Sequence, residues 1–493
     1  MIELVLFGTF VVCLFLGVPV AVSMGLSAFA TIVFTSGVKA LAPASSILYA
    51  GLSSETLLAI PFFILAGVIM ELTGISRRLV EFADACFGHM KNGIALTAIL
   101  TALLFSSISG SGPATVAAIG GILIPALAKH GYSKRHSASL VATSGELGII
   151  LPPSIAYIVF AVVAADYAGP GVGRVTIGRL FMAGVVPGLT LVVVLYLIAR
   201  FLPRDMEIAK VNAAAHLSQA MGESTRRQKP TVTATGAIAS TADDTGLLTM
   251  SEVTPENATS GGEIGMPVKR ARASVVFKTF LRAVPGLLVP VIILGGIYGG
   301  IFTPTESAAV ASVYALVVGL FVTRELKLSE VFKIFTTAGV MSGRIMLIIA
   351  SATLFAYVIT RNQIARHVAD WMLNLTDSIV LLVLIVNLAL LIAGMFLDAI
   401  SAFYLFIPLF VPVLLELGMD LTTIGVMMTM NLAIGLITPP VGIDLFVAAS
   451  IAKISFGEAV KGIIPFVFSG VVVLLLVTFI PALSNWLPDL LGL

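Results

Sequence analysis

The chain has little charge. Only 11% of its 493 residues are Asp, Glu, Lys or Arg, whereas a soluble domain carries about a quarter. That shortage excludes a water-soluble fold of this length. Cysteine is almost missing: Cys13 and Cys86 stand far apart and build no disulfide framework. The five histidines show no metal-ligand spacing. His130 and His136 flank a charged turn, where solvation is a simpler role than zinc binding. No GxxxxGK[ST] stretch occurs, so the chain does not itself hydrolyse ATP. No Lys or Arg precedes the first apolar stretch, and Glu3 sits at its front; a cleavable leader wants a basic start, so this stretch reads as a spanning helix. The net charge of +2 carries no message by itself, and no nucleic-acid partner is expected.

What the chain does have is apolar length. Hydrophobic residues make up 58% of it, and mean hydropathy is +1.08. Runs such as Ile379 to Leu397 and Gly462 to Phe479 approach the ~20 residues that cross hydrocarbon. The chain is an all-α polytopic membrane protein. One segment departs from this pattern: residues 203–274 turn to Ala, Thr, Ser, Gly and charge, with too little apolar surface to order themselves. This polar linker divides the chain into a first half, 1–202, and a second, 275–493.

The halves resemble each other. Pro125, Gly131, Gly148, Pro152 and Pro153 recur at Pro412, Gly418, Gly435, Pro439 and Pro440, a constant shift of 287 (412 minus 125). Five such residues in one register point to a duplication. Basic residues crowd the linker and its flanks, among them Arg200, Arg204, Arg226, Arg227, Lys269, Arg270, Lys278 and Arg282, and are missing near both ends. The positive-inside rule then makes the linker cytoplasmic and both termini periplasmic. Spans are expected at about 3–19, 20–36 and 57–73, followed by an amphipathic stretch around Arg77 and Arg78 on the inner surface. A hairpin at about 93–128, a helix at about 134–165 broken at Pro152-Pro153, and a span at about 179–200 complete the first half. The second half reads 283–301, 305–323, 344–360, a hairpin at about 379–416, a broken helix at about 422–452, and 461–482. An odd number of crossings per half inverts the second copy, the inverted-repeat architecture of secondary transporters. The two hairpins read as re-entrant and the two broken helices as discontinuous.

Five motifs in this order, "SSISGSGPATVAAIG", "GELGIILPPSI", "GGIYGGIFTPTESAAV", "GMFLDAISA" and "GLITPPVGIDLF", resemble the large membrane subunit of tripartite ATP-independent periplasmic (TRAP) transporters. The resemblance covers nearly the whole chain outside the linker. It implies Na+-driven uptake of an organic acid, such as a C4-dicarboxylate or sialic acid, across the bacterial inner membrane. It also implies delivery by a periplasmic substrate-binding protein, a small four-helix membrane subunit expected as a separate chain, and an elevator motion. No organic cofactor and no enzymatic activity are expected.

The residues give this resemblance physical content. Backbone groups released where a helix breaks inside hydrocarbon cost several kcal/mol unless satisfied, so irregular backbone is tolerated only where it lines a cavity or binds something. Proline donates no hydrogen bond, so Pro152-Pro153 frees the carbonyls of Gly148 to Leu151. Helix C-terminal carbonyls are partly negative and suit Na+, a hard cation that takes oxygen ligands. Two Na+ sites follow: one from oxygens of Ser109, Ser111, Gly148, Leu151 and Pro153, the other from Gly394, Asp398, Gly435, Thr438 and Pro440. Asp398, deep in an apolar run, is a functional candidate by its cost alone. Substrate candidates are Gly110, Gly112, Glu146, Ser154, Ser401, Asn431, Gly442 and Asp444; Glu146 serves equally as a proton site or an internal ion-pair partner. Tight helix packing is the competing role for the Ser-Gly cluster. Capping is the simpler role for Thr303 and Glu306, and lipid anchoring for "SRRLVEF". Three rivals stand further off: an ion-coupled transporter or antiporter without a binding protein, a passive channel, and an intramembrane serine protease. The last lacks a histidine in any later apolar span.

Overall fold

The structure is a computed structural model and describes residues 1–90, 92–169, 175–203 and 272–493; the linker expected at 203–274 lies almost wholly outside them. Among the described residues every assigned element is helical. Eight helices are long and apolar enough to cross a membrane, or nine if the bent pair Lys134–Ile150 and Ile155–Tyr167 is one span.

In the first half, Ile2–Phe15 and Val20–Ser36 are followed by a short helix, Ala44–Leu52, and by Ala59–Leu72. The amphipathic Ile75–Phe87 comes next and packs on Gly93–Ser109 and Ala273–Tyr298. The first hairpin is Gly93–Ser109 and Gly112–Lys129. The first broken helix is Lys134–Ile150, with a one-residue interruption at Glu146, and Ile155–Ala164; Ile177–Phe201 closes the half. The second half runs Ala273–Tyr298, Pro304–Val317, Leu328–Arg361 and the amphipathic Ile364–Leu373. Its hairpin is Ile379–Gly394 and Ala399–Glu416, its broken helix is Leu421–Gly435 and Ile443–Ala452, and Phe456–Phe479 and Ala482–Leu490 end the chain.

Local chemistry sets these limits. Ser133, Thr176, Asp420 and Ser455 each accept a hydrogen bond from the backbone N–H three residues on and so cap their helices. Two helices outrun their apolar cores. Ala273–Tyr298 starts ahead of Lys278 and Arg282, and Leu328–Arg361 starts with Lys327 and Glu330, because helical backbone continues past the apolar run while hydropathy does not.

Burial sorts the helices into two groups. Every residue of Leu421–Gly435 is buried, as a helix surrounded by others must be. Tyr157, Phe160 and Phe403, from the first broken helix and second hairpin, rank among the largest fully buried side chains. Outer helices instead present Phe15, Phe201, Phe277 and Phe332 outward. Hairpins and broken helices therefore form the centre. They also interlock across the halves. Gly112–Lys129 packs on Ile443–Ala452, and Ala399–Glu416 packs on Ile155–Ala164. The correspondence is close in register. These two hairpin helices begin and end 287 positions apart (399 minus 112). So are the caps Ser133 and Asp420, and the left-handed Gly131 (φ +87) and Gly418 (φ +83).

One side chain ties the C-terminal helix to the centre. Arg179 donates to Thr422 Oγ1 (2.9 Å), Asn485 Oδ1 (3.2 Å) and Asp489 Oδ1 (2.7 Å), as well as to the Leu493 carbonyl. Arg179→Ala is expected to cost about 2 kcal/mol, charged hydrogen bonds being the stronger kind. The loss should appear as faster amide exchange along Ala482–Leu490.

Asp84, on the amphipathic helix outside the spanning segments, has one carboxyl oxygen buried without a hydrogen-bond partner. Burial pushes its pKa from 3.8 up to about 6. The folded chain thus holds a proton that the unfolded chain has already released between these values. The group costs nothing at low pH, and its penalty grows until about pH 6. Asp84→Asn should therefore unfold at a higher temperature than wild type above about pH 6, with the gap closing towards about pH 4.

Candidate functional site

The first hairpin turns at Gly110, which holds φ +63, and Ser111, which is extended and starts the next helix. A side chain at Gly110 would meet both a disfavoured backbone region and the Pro153 carbonyl, 3.0 Å from an added Cβ. The Ser111 carbonyl gathers three donors: Thr115 N (3.1 Å), Thr115 Oγ1 (2.8 Å) and Ser109 Oγ (3.2 Å). A Cβ on Gly148 would stand 2.7 Å from that carbonyl and 2.8 Å from Thr115 Oγ1. The turn of the hairpin and the break of the neighbouring helix are therefore in contact. Past the break, Leu151 and Ser154 are extended. The Ser154 hydroxyl donates to the Ile149 carbonyl, which the break would leave without a helical partner. Ser109, Gly110, Ser111, Gly112, Gly148 and Pro153 thus lie in one neighbourhood, and their oxygens are a donor set for a hard cation.

The second half builds a related contact from different side chains. An added Cβ on Gly435 would lie 2.7 Å from the Gly394 carbonyl oxygen, closer still to its carbon atoms, so hairpin and broken helix again meet through glycine. Asp398 stands where Ser111 stands in the first half, and caps Ala399–Glu416. Its Oδ2 accepts from Ile400 N (3.1 Å) and Ser401 N (3.2 Å), and its Oδ1 accepts from Ser401 Oγ (2.6 Å). Those bonds orient the carboxylate and leave lone pairs free, since each oxygen accepts more than one donor. Thr438 Oγ1 donates to the Ile434 carbonyl (2.6 Å), which also accepts from Ile437 N (3.2 Å). Gly442 has φ +52, and Asp444 N donates to the Leu436 carbonyl (3.0 Å), closing the break. The second break is the more open one: Pro440 is exposed, while Pro153 is buried. Both Pro-Pro peptide bonds are cis.

Three expected substrate residues are engaged elsewhere. The Ser154 and Ser401 hydroxyls are held as described, and Asn431 is buried with its amide donating to Asn387 Oδ1 (2.7 Å) inside the second hairpin. Glu146 and Asp444 are fully buried, and neither carboxyl has a hydrogen-bond partner. Asp444, from the second half, lies against Gly112 of the first hairpin. Sequence reasoning did not single out Thr115, Gly145 or Asn387. Thr115 was readable as a hydroxyl one helical turn beyond Ser111, and Asn387 as an amide within an apolar run.

Among the described residues no three His, Cys, Asp or Glu side chains converge on a metal position. At the two hairpin contacts the oxygens on offer are carbonyl and hydroxyl ones, with Asp398 the one carboxylate. Gly148→Ala and Gly435→Ala are expected to destabilise the protein by about 1–3 kcal/mol through overpacking. Gly121→Ala, whose added Cβ meets nothing within 4 Å, should be neutral in the same thermal unfolding measurement.

Residues 7–483 match the family described as the DctM component of the tripartite ATP-independent periplasmic transporter. The C4-dicarboxylate TRAP transporter large permease protein DctM of Pseudomonas aeruginosa is 38% identical over 477 residues, covering 96% of this chain and 95% of its own length. The isethionate TRAP transporter permease protein DctMQ of Oleidesulfovibrio alaskensis is 36% identical over 483 residues, 97% of this chain and 65% of that longer one. Among solved structures, the Alcanivorax borkumensis YdaH transporter shares the fold with a TM-score of 0.57 at 14% identity, covering 93% of this chain and 89% of that one. The family implies a small membrane subunit and a periplasmic binding protein as partners. The chain belongs to the DctM family of TRAP transporter large permeases and is a multi-span membrane transport protein, not an enzyme.

Proposed function

We propose that the chain carries a small organic acid inward across the bacterial inner membrane, driven by Na+. The substrate arrives on a periplasmic binding protein, and a separate four-helix subunit flanks the permease. The observation that carries this reading is the paired contact of hairpin and helix break, Ser111 on Gly148 and Gly394 on Gly435, in which the two break glycines are register-equivalent and Gly394 lies four positions before Asp398, the counterpart of Ser111. Each contact gathers carbonyl and hydroxyl oxygens among buried apolar side chains. A Na+ ion at each supplies what water would. The first site takes oxygens of Ser109, Ser111, Gly148, Leu151 and Pro153; the second takes those of Gly394, Asp398, Gly435, Thr438 and Pro440. Substrate contacts fall to Gly110, Gly112 and Gly442, beside the ions that neutralise an incoming carboxylate.

The two halves are inverted copies, with the linker cytoplasmic and both termini periplasmic. Hairpins and broken helices move together as an elevator against the outer helices, which agrees with their dense burial at the centre. A C4-dicarboxylate is the leading substrate, on the strength of the Pseudomonas relative's printed name. With two Na+ a dicarboxylate dianion moves no net charge, while a monoanion moves one net positive charge inward, worth ~2.3 kcal/mol per 100 mV. At ~1.4 kcal/mol per tenfold, that gives roughly 40-fold accumulation from voltage alone.

The experiment is uptake into vesicles holding the permease and its small subunit, with candidate binding proteins outside and a gradient of Na+, K+ or protons. Uptake should require Na+, and Asp398→Ala should flatten its dependence on Na+ concentration. Solute movement that proceeds equally in K+ would contradict the proposal, and Asp398→Ala with unchanged Na+ dependence would remove that residue from the site.

A further inference from the structure

Two acidic side chains at the centre have no part in the symmetric pair of sites. The position 287 before Asp444 is Tyr157, and the position 287 after Glu146 is Ala433. The carboxyls therefore have no acidic counterpart in the other copy. Both residues are fully buried, and among the described residues all four carboxyl oxygens lack a hydrogen-bond partner. They sit on adjoining segments, since Gly145, the residue before Glu146, lies against Asp444. The Asp444 Oδ2 is 2.5 Å from where a Cβ on Gly112 would stand, and 3.4 Å from one on Gly145. These two glycines make the room that the carboxylate fills. A third oxygen points the same way, since the Gly112 carbonyl is 3.2 Å from the Gly145 Cβ position.

An organic acid is a poor occupant, because two buried carboxylates repel another. Buried charge without a partner costs heavily, and among the described residues neither carboxyl has an ion-pair partner, while the Asp444 carboxyl lies against glycine backbone. Oxygen donors alone, with negative charge, are the ligand set of a hard cation. We infer that Glu146 and Asp444, with the Gly112 carbonyl, form a further Na+ site that bridges the first broken helix and hairpin to the second broken helix. This rests on the Na+-driven reading above, which brings that ion to this depth. The site differs from the other two in using a carboxylate from each half. It clamps Ile443–Ala452 against Gly112–Lys129 and Lys134–Gly145, the contacts through which the halves interlock. It also changes the ion count. A dianion carried with the two symmetric ions is electroneutral, and a third Na+ makes its uptake voltage-sensitive, by roughly 40-fold per 100 mV.

The test is saturation binding of radioactive Na+ to the permease purified with its small subunit. Wild type, Glu146→Gln/Asp444→Asn, Asp398→Ala and the combination of all three changes are compared. The paired amide variant should bind one equivalent fewer than wild type, Asp398→Ala should also bind one fewer, and the combination should lose both. Gly112→Ala, which keeps both charges but crowds the Asp444 carboxylate, should raise the half-saturating Na+ concentration of the same equivalent about tenfold. If the paired amide variant binds as much Na+ as wild type while Asp398→Ala binds less, the inference is wrong and the symmetric sites stand. Loss in the paired variant with Asp398→Ala unchanged leaves the inference standing and removes Asp398 from the earlier assignment. A wild-type complex that binds no Na+ overturns both.

Discussion

The need to give every backbone carbonyl a donor where helices break governs this molecule. An apolar chain that spans a membrane can satisfy its peptide groups by staying helical, and most of this one does. At four places it does not: two hairpin turns and two prolyl breaks, all packed at the centre. There the protein supplies what hydroxyls it has. Ser154 serves Ile149, Thr438 serves Ile434, and Thr115 with Ser109 serves Ser111. The Ile149 bond replaces a donor that Pro153 removes, while the Ser111 and Ile434 carbonyls also accept from the backbone N–H groups of Thr115 and Ile437.

Glycine decides whether the arrangement closes. Gly148 and Gly435 permit contact between break and hairpin that any Cβ would obstruct, and Gly110 sets a turn that other residues resist. Around these contacts the two halves are exchanged: each hairpin's second helix rests on the far piece of the other half's broken helix. Occupancy at one turn therefore bears on the packing of both copies. That is the physical route by which ion binding biases a carrier between two arrangements, because a ligand shifts an equilibrium only by its differential affinity for the two states.

Much of this was legible in the sequence. Gly and Pro punctuate apolar runs strongly, so the hairpin read at about 93–128 is found as Gly93–Ser109 and Gly112–Lys129, and the breaks fall at the Pro-Pro pairs. Membership of the TRAP family was legible from five ordered motifs. Helix starts that run into polar sequence were not, which is why the span read at 344–360 extends back to Leu328. The second role of Asp398 lay in plain view, since Asp followed three residues later by Ser just inside an apolar helix is a capping pattern. Hydroxyl partners were less accessible. Whether Ser154 bonds its own backbone or a substrate depends on a rotamer, and the nearness of Asp444 to Gly112 depends on packing between segments more than three hundred residues apart.

Inversion of the two copies is the premise on which paired sites and alternating access both stand. Lys129 and Glu416 are exposed and register-equivalent, each ending a hairpin. After replacement of Cys13 and Cys86, single cysteines at these positions can be labelled with a membrane-impermeant maleimide in intact spheroplasts and in inside-out vesicles. Lys129→Cys should react only from the cytoplasmic face and Glu416→Cys only from the periplasmic face. Reaction of both from the same face would contradict the account.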